Sequence, residues 1–150
     1  MMTDGTWSQL AFEEAVRQAE LSLTQGGIPI GSSLERAGKI VASGHNQRIQ
    51  LGDPILHGEM DCLRNAGRQK TYRDTIIYST LMPCYMCAGT IVQFKIPLVV
   101  VGESKTFAGA ENLLRSHGIE VIDLADDRCV DLMNKFIEQY PDLWREDISK

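Results

Sequence analysis

The sequence has no apolar run approaching the roughly 20 residues that a membrane-spanning helix needs. Its opening stretch, MMTDGTWSQL, lacks the basic start and apolar core of a secretory signal. A cytoplasmic location and no membrane partner are therefore expected. Cysteine is sparse, with four in 150 residues. Structural disulfides are rare in the cytoplasm, so no disulfide framework is expected. Positive charge is also short: 15 Lys and Arg stand against 20 Asp and Glu, a net charge of −5. No Lys/Arg cluster is visible along the chain. Nucleic-acid binding needs cations to neutralise phosphates, so no nucleic-acid partner is expected. Low-complexity tracts, linkers and repeats are absent. What remains is one domain over residues 1–150, long enough for an ordinary core.

The hydrophobic pattern gives the element order. Residues 7–25 carry Trp7, Leu10, Ala11, Ala15, Val16, Ala19 and Leu23 at helical spacing, stopped by Gly26 and Gly27. IPIGSSL and KIVASG around RAGK read as a hairpin. HNQRIQLGDPIL, 45–56, reads as a loop. HGEMDCLRNAG, 57–67, reads as a helix. TIIYST, 75–80, and LVVVG, 98–102, read as buried strands. A helix opened by Pro83 lies between them. AGAENLLRSHG should be helical, IEVIDL a strand, and DDRCVDLMNKFIEQY a helix broken by Pro141, with a last short turn in DLWREDI. A hairpin followed by helix–strand alternation predicts an α/β fold. It is a three-layer α-β-α sandwich around a central five-stranded mixed sheet.

Two helix starts carry the chemistry. One begins with His57, Gly58 and Glu59; the other begins with Pro83, Cys84 and Cys87. Cysteines at i and i+3 share a helix face. A helix N-terminus favours thiolate over thiol. Two thiolates and an imidazole suit zinc, and three protein ligands leave a fourth position for water, the mark of a catalytic site. Glu59 stands beside such a metal without binding it, placed to take a proton from that water and deliver it to a ring nitrogen or leaving amine. The plainer readings fit less well. A thioredoxin-like Cys84–Cys87 couple leaves His57 and Glu59 without a role. A closed structural zinc site needs a fourth ligand, and His45, His117, Cys62 and Cys129 do not lie at the usual spacing. Cys62 and Cys129 fall within helical patterns as buried apolar residues.

These motifs resemble the cytidine deaminase superfamily, whose signature is H-x-E with P-C-x-x-C. GGIPIG (26–31), GHNQR (44–48), LHGE (56–59), STLMPCYMC (79–87), VVVGE (99–103) and DLWREDI (142–148) are similar in order and spacing to its fungal-type branch, the cytosine deaminases acting on the free base. The resemblance implies His57, Cys84 and Cys87 as ligands of one Zn2+ per subunit, with a bound water or hydroxide, and Glu59 as proton shuttle. It implies that Asn46 and the Gly58 backbone N–H read the pyrimidine carbonyl. Asp147 would face the leaving amine, and Phe107 and Trp144 would close over the ring. A homodimer is implied as well. The implied reaction is hydrolysis of cytosine to uracil and ammonia, a step of pyrimidine salvage.

Three features depart from that branch. Met82 stands where a small polar residue is usual, GDP at 52–54 resembles the tRNA adenosine deaminases, and Arg145 replaces an aromatic residue. They leave other ring substrates open: isocytosine, a creatinine-like cyclic amidine, guanine or a nucleoside. Editing of tRNA or DNA is a further reading, which the acidic charge opposes. A zinc-stabilised binding module is the non-enzymatic one, which Glu59 and the missing fourth ligand oppose.

Overall fold

The computed structural model describes residues 7–150. Helix α1 (Gln9–Thr24) is capped by Ser8, whose side chain accepts the Ala11 N–H. Strands β1 (Gly31–Arg36) and β2 (Lys39–His45) form the expected hairpin. Its turn residues, Ala37 and Gly38, both have positive φ, which suits a tight hairpin. A short α2 (Arg48–Leu51) lies within the segment expected to be loop. One helical turn is too short to leave a periodic signal. Then come α3 (Gly58–Ala66), β3 (Thr75–Ser79), α4 (Tyr85–Phe94), β4 (Leu98–Val101), α5 (Glu111–Ser116), β5 (Glu120–Asp123), α6 (Asp127–Gln139) and α7 (Pro141–Asp147). Helix α4 starts at Tyr85 with Cys84 as N-cap, two residues later than Pro83 suggested.

The sheet order is β2-β1-β3-β4-β5. The pairs β1/β2 and β1/β3 are antiparallel; β3/β4 and β4/β5 are parallel. Alternation along β3 and β4 divides the core. Ile76, Tyr78, Leu98 and Val100 pack toward α1 and Cys129 of α6. Ile77, Val99 and Val101 pack toward α3, α4 and α5. A third cluster joins Ile28, Ile30, Leu81, Met133, Phe136 and Trp144 beneath α7. These layers are the predicted three-layer fold. Among the described residues no helix is long and apolar enough to cross a membrane.

The register sets the site. Ser32 at the start of β1 pairs with Ser79 at the end of β3, and Gly31 pairs with His45 at the end of β2. The ends of β2, β3 and β4 and the start of β1 thus share one edge. The close seating of α1 depends on Gly31, where a Cβ would collide with the Ala15 carbonyl and the Ala19 nitrogen. Gly31→Ala should lower stability by about 3 kcal/mol through overpacking. A urea midpoint equal to the native one would refute this close packing.

Candidate active site

His57 and Cys84 are the N-cap residues of α3 and α4, so two helix N-termini point at one place. His57 Nδ1 lies 3.3 Å from Cys84 Sγ and 3.8 Å from Cys87 Sγ. Tetrahedral zinc with Zn–S of about 2.3 Å and Zn–N of about 2.0 Å puts sulfur and nitrogen about 3.5 Å apart. The two distances straddle that value, so the three donors fit zinc. Their ligand atoms all lie within 4.8 Å of one another, and among the described residues they are the group that could hold a metal ion.

The remaining candidates for a fourth ligand are elsewhere. His45 is buried between the Gln18 and Gln25 side-chain oxygens, at 2.8 and 2.9 Å. Cys62 and Cys129 are buried among apolar residues, and all four cysteines are free. His117 contacts the Leu113 carbonyl on the surface.

Among the protein groups, charge is strongly coupled. Hydrogen bonding from Cys87, aided by His57, outweighs burial and holds Cys84 down at about 4. That Cys84 thiolate, together with burial, pushes Cys87 well up. Burial opposes a charged His57, but Asp147 and Cys84 prevail and raise it to about 10. A divalent cation reverses two of these preferences, drawing Cys87 to the thiolate and His57 to the neutral imidazole. Glu59, in the first turn of α3 and 3% exposed, is pushed up to about 7 by burial and by the Cys84 charge.

The cluster opens onto a cavity of about 650 Å³, within the range of small-molecule sites. His57, Glu59, Cys84, Met82, Phe107, Trp144 and Asp147 are among its lining residues. Cys87 is buried behind them. Phe107 and Trp144 meet edge to face, ring centres 5.7 Å apart. Fully buried Glu103 shapes the loop carrying Phe107 by accepting the Lys105 and Thr106 backbone N–H groups at 2.7 and 2.9 Å.

Asn46 and Gly58 do not line the cavity. Both adjoin Ile30, which does: the Asn46 N–H donates to the Ile30 carbonyl at 2.9 Å, and that oxygen is 3.2 Å from where a Gly58 Cβ would sit. Asn46 Oδ1 accepts the Arg48 backbone N–H at 2.9 Å, while its buried Nδ2 has no partner. Asp147 Oδ1 lies 3.0 Å from His57 Nε2, close enough for attraction but without the alignment of a hydrogen bond. With Gln50 Oε1, these are the buried side-chain atoms left unpaired among the described residues.

Sequence reading missed Arg48, which lines the cavity from α2. It also missed a second cleft, lined by Arg64, Arg68, Lys70, Arg73 and Lys95. Cations scattered along the chain are gathered there in space.

A three-layer sandwich with a His–Cys–Cys cluster at two helix N-termini and a buried carboxyl beside it defines a zinc-dependent hydrolytic domain. The model of the cytidine and deoxycytidylate deaminase zinc-binding region matches residues 5–103, and the chain belongs to that family. It is 49% identical to a cytosine deaminase of Candida albicans over 139 residues, 91% of this chain and 93% of the relative. It is 35% identical to a tRNA-specific adenosine deaminase of Streptococcus pyogenes over 140 residues, 85% of this chain and 87% of that one. Solved structures share the fold, among them the following two. A tRNA:A34 deaminase has a TM-score of 0.74 at 24% identity, over 83% of this chain and 99% of that one. A guanine deaminase from Nitrosomonas europaea has a TM-score of 0.73 at 16% identity, over 84% and 82%.

Proposed function

We propose that this chain hydrolyses free cytosine to uracil and ammonia. The observation that carries the reading is a pair of buried groups with no hydrogen-bond partner, the donor Asn46 Nδ2 behind the Ile30 wall and the acceptor Asp147 Oδ1 on the cavity lining. Cytosine offers the complement: a carbonyl oxygen for the amide and an exocyclic amine for the carboxylate. The likeness to the Candida albicans cytosine deaminase supports the same substrate.

His57, through Nδ1, and the sulfurs of Cys84 and Cys87 would hold the zinc. A zinc ion there supplies a Lewis acid that makes water nucleophilic at neutral pH. Glu59 takes up the first proton lost by the attacking water and gives it to the ring nitrogen; it then takes the remaining proton of the hydroxyl added to the ring carbon and delivers it to the departing amine, which leaves as ammonia. Asn46 and the Gly58 N–H hold the carbonyl edge. Asp147 accepts from the amine, and Phe107 and Trp144 cover the ring and exclude bulk water. Cover of that kind favours a bare base over a nucleoside or a nucleic acid. The whole of 1–150 acts as one domain in this reading. It works in cytoplasmic pyrimidine salvage as a homodimer, which the exposed apolar Leu51, Ile55 and Tyr85 support.

Asn46→Ala and Asp147→Ala test the recognition. Each leaves one polar edge of cytosine unpaired, costing about 1–3 kcal/mol, or roughly 5–150-fold in kcat/KM. Zinc content should not change in the Asn46 variant, and the Asp147 variant is compared at full zinc loading because Asp147 adjoins the ligand His57. Native kcat/KM for cytosine in both variants would overturn the assignment.

A further inference from the structure

Arg48 joins the two polar groups that flank the cavity. Its backbone N–H fixes the Asn46 amide by donating to Oδ1, which leaves Nδ2 free. Its side chain crosses to the C-terminal helix: Nε lies 3.2 Å from Glu146 Oε2 and 4.0 Å from Asp147 Oδ1. Nη1 donates to the Pro54 carbonyl at 3.3 Å, anchoring the guanidinium to its own loop.

Helix α7 is seated by the apolar packing of Trp144, and its polar ties to the rest of the fold are few. Its seven residues help roof the cavity through Trp144 and Asp147. Among the described residues, its side chains make polar ties to elements outside α6 and α7 only through Arg48 and His57. Arg145 is spent within the helix, on Asp142. Glu146 and Asp147 are adjacent carboxylates at the helix C-terminus, where the dipole disfavours negative charge. The Asp147 side chain is 3% exposed and has little water to help it. Arg48 is the arginine that faces both carboxylates.

We infer that Arg48 is a positioning residue: it latches α7 over the cavity and aims Asp147 at the substrate's amine. The Arg48 side chain acts through Glu146 and Asp147 and does not touch a reacting atom. This rests on the cytosine reading for its kinetic consequence only.

The test compares zinc-loaded native enzyme with Arg48→Met, Arg48→Lys and Glu146→Gln. Arg48→Met should raise KM for cytosine at least tenfold and lower kcat less than threefold, with unchanged zinc content. Amide hydrogens of residues 144–150 should exchange at least tenfold faster, while those of α3 and α4 keep their native rates. Arg48→Lys keeps the charge and should recover part of both effects. Glu146→Gln should speed exchange in the same segment, and it decides the matter if Arg48→Met does not fold. Native exchange at 144–150 in the folded variants, or native KM in Arg48→Met, overturns the latch. If native enzyme leaves cytosine unchanged, the substrate reading fails, and exchange, which needs no substrate, still decides the latch.

Discussion

Glu59→Gln enzyme keeps its zinc and loses about 10²–10⁴-fold in kcat, the usual scale of general acid–base catalysis. Glutamine matches the shape of glutamate, so α3 and the Ile30 wall should not move. The amide cannot take a proton from water or give one to a ring nitrogen. Glu59 is buried in the first turn of α3, two residues from His57. Its replacement therefore leaves all three metal donors in place. Metal analysis and ammonia release on the same sample separate the two roles. Native kcat in Glu59→Gln would show that another group moves the proton.

Cys84→Ala or Cys87→Ala loses the zinc and, with it, more activity than Glu59→Gln, beyond the about 10²–10⁴ range of proton transfer alone. Two remaining donors cannot hold a catalytic zinc that takes three. Cys62→Ala and Cys129→Ala supply the contrast. Their thiols are buried in the core on either side of the sheet, and burial pushes both up to about 12. They should keep full zinc even if stability falls. Zinc-to-protein ratios across the four variants check this. Full zinc in Cys84→Ala and Cys87→Ala would remove the metal assignment.

The metal donors were legible because their spacing is local. His57 and Glu59 fall in one helical turn, as do Cys84 and Cys87, so sequence separation already fixes their faces. The strands were legible for the same reason: β3 and β4 are continuous apolar runs, as expected of strands covered on both faces. What escaped depends on contacts between distant segments. Arg48 and Glu146 are 98 residues apart, and no periodicity links them. The basic cleft draws Arg64 from α3, Arg68, Lys70 and Arg73 from the following loop, and Lys95 from the end of α4. Asn46 shows the limit from the other direction. The resemblance named it as a substrate contact, and the fold sets it beside Ile30, outside the cavity lining and held by Arg48. Met82, noted as a departure in the sequence, does line the cavity and is fully buried.

The most direct test is ammonia release by the purified, zinc-loaded protein from free cytosine, with cytidine, isocytosine, creatinine and guanine alongside. The zinc site, the unpaired donor and acceptor, and the aromatic cover predict turnover of cytosine and none of cytidine. No release from cytosine at full zinc occupancy, with turnover of another of these compounds, would contradict the substrate assignment.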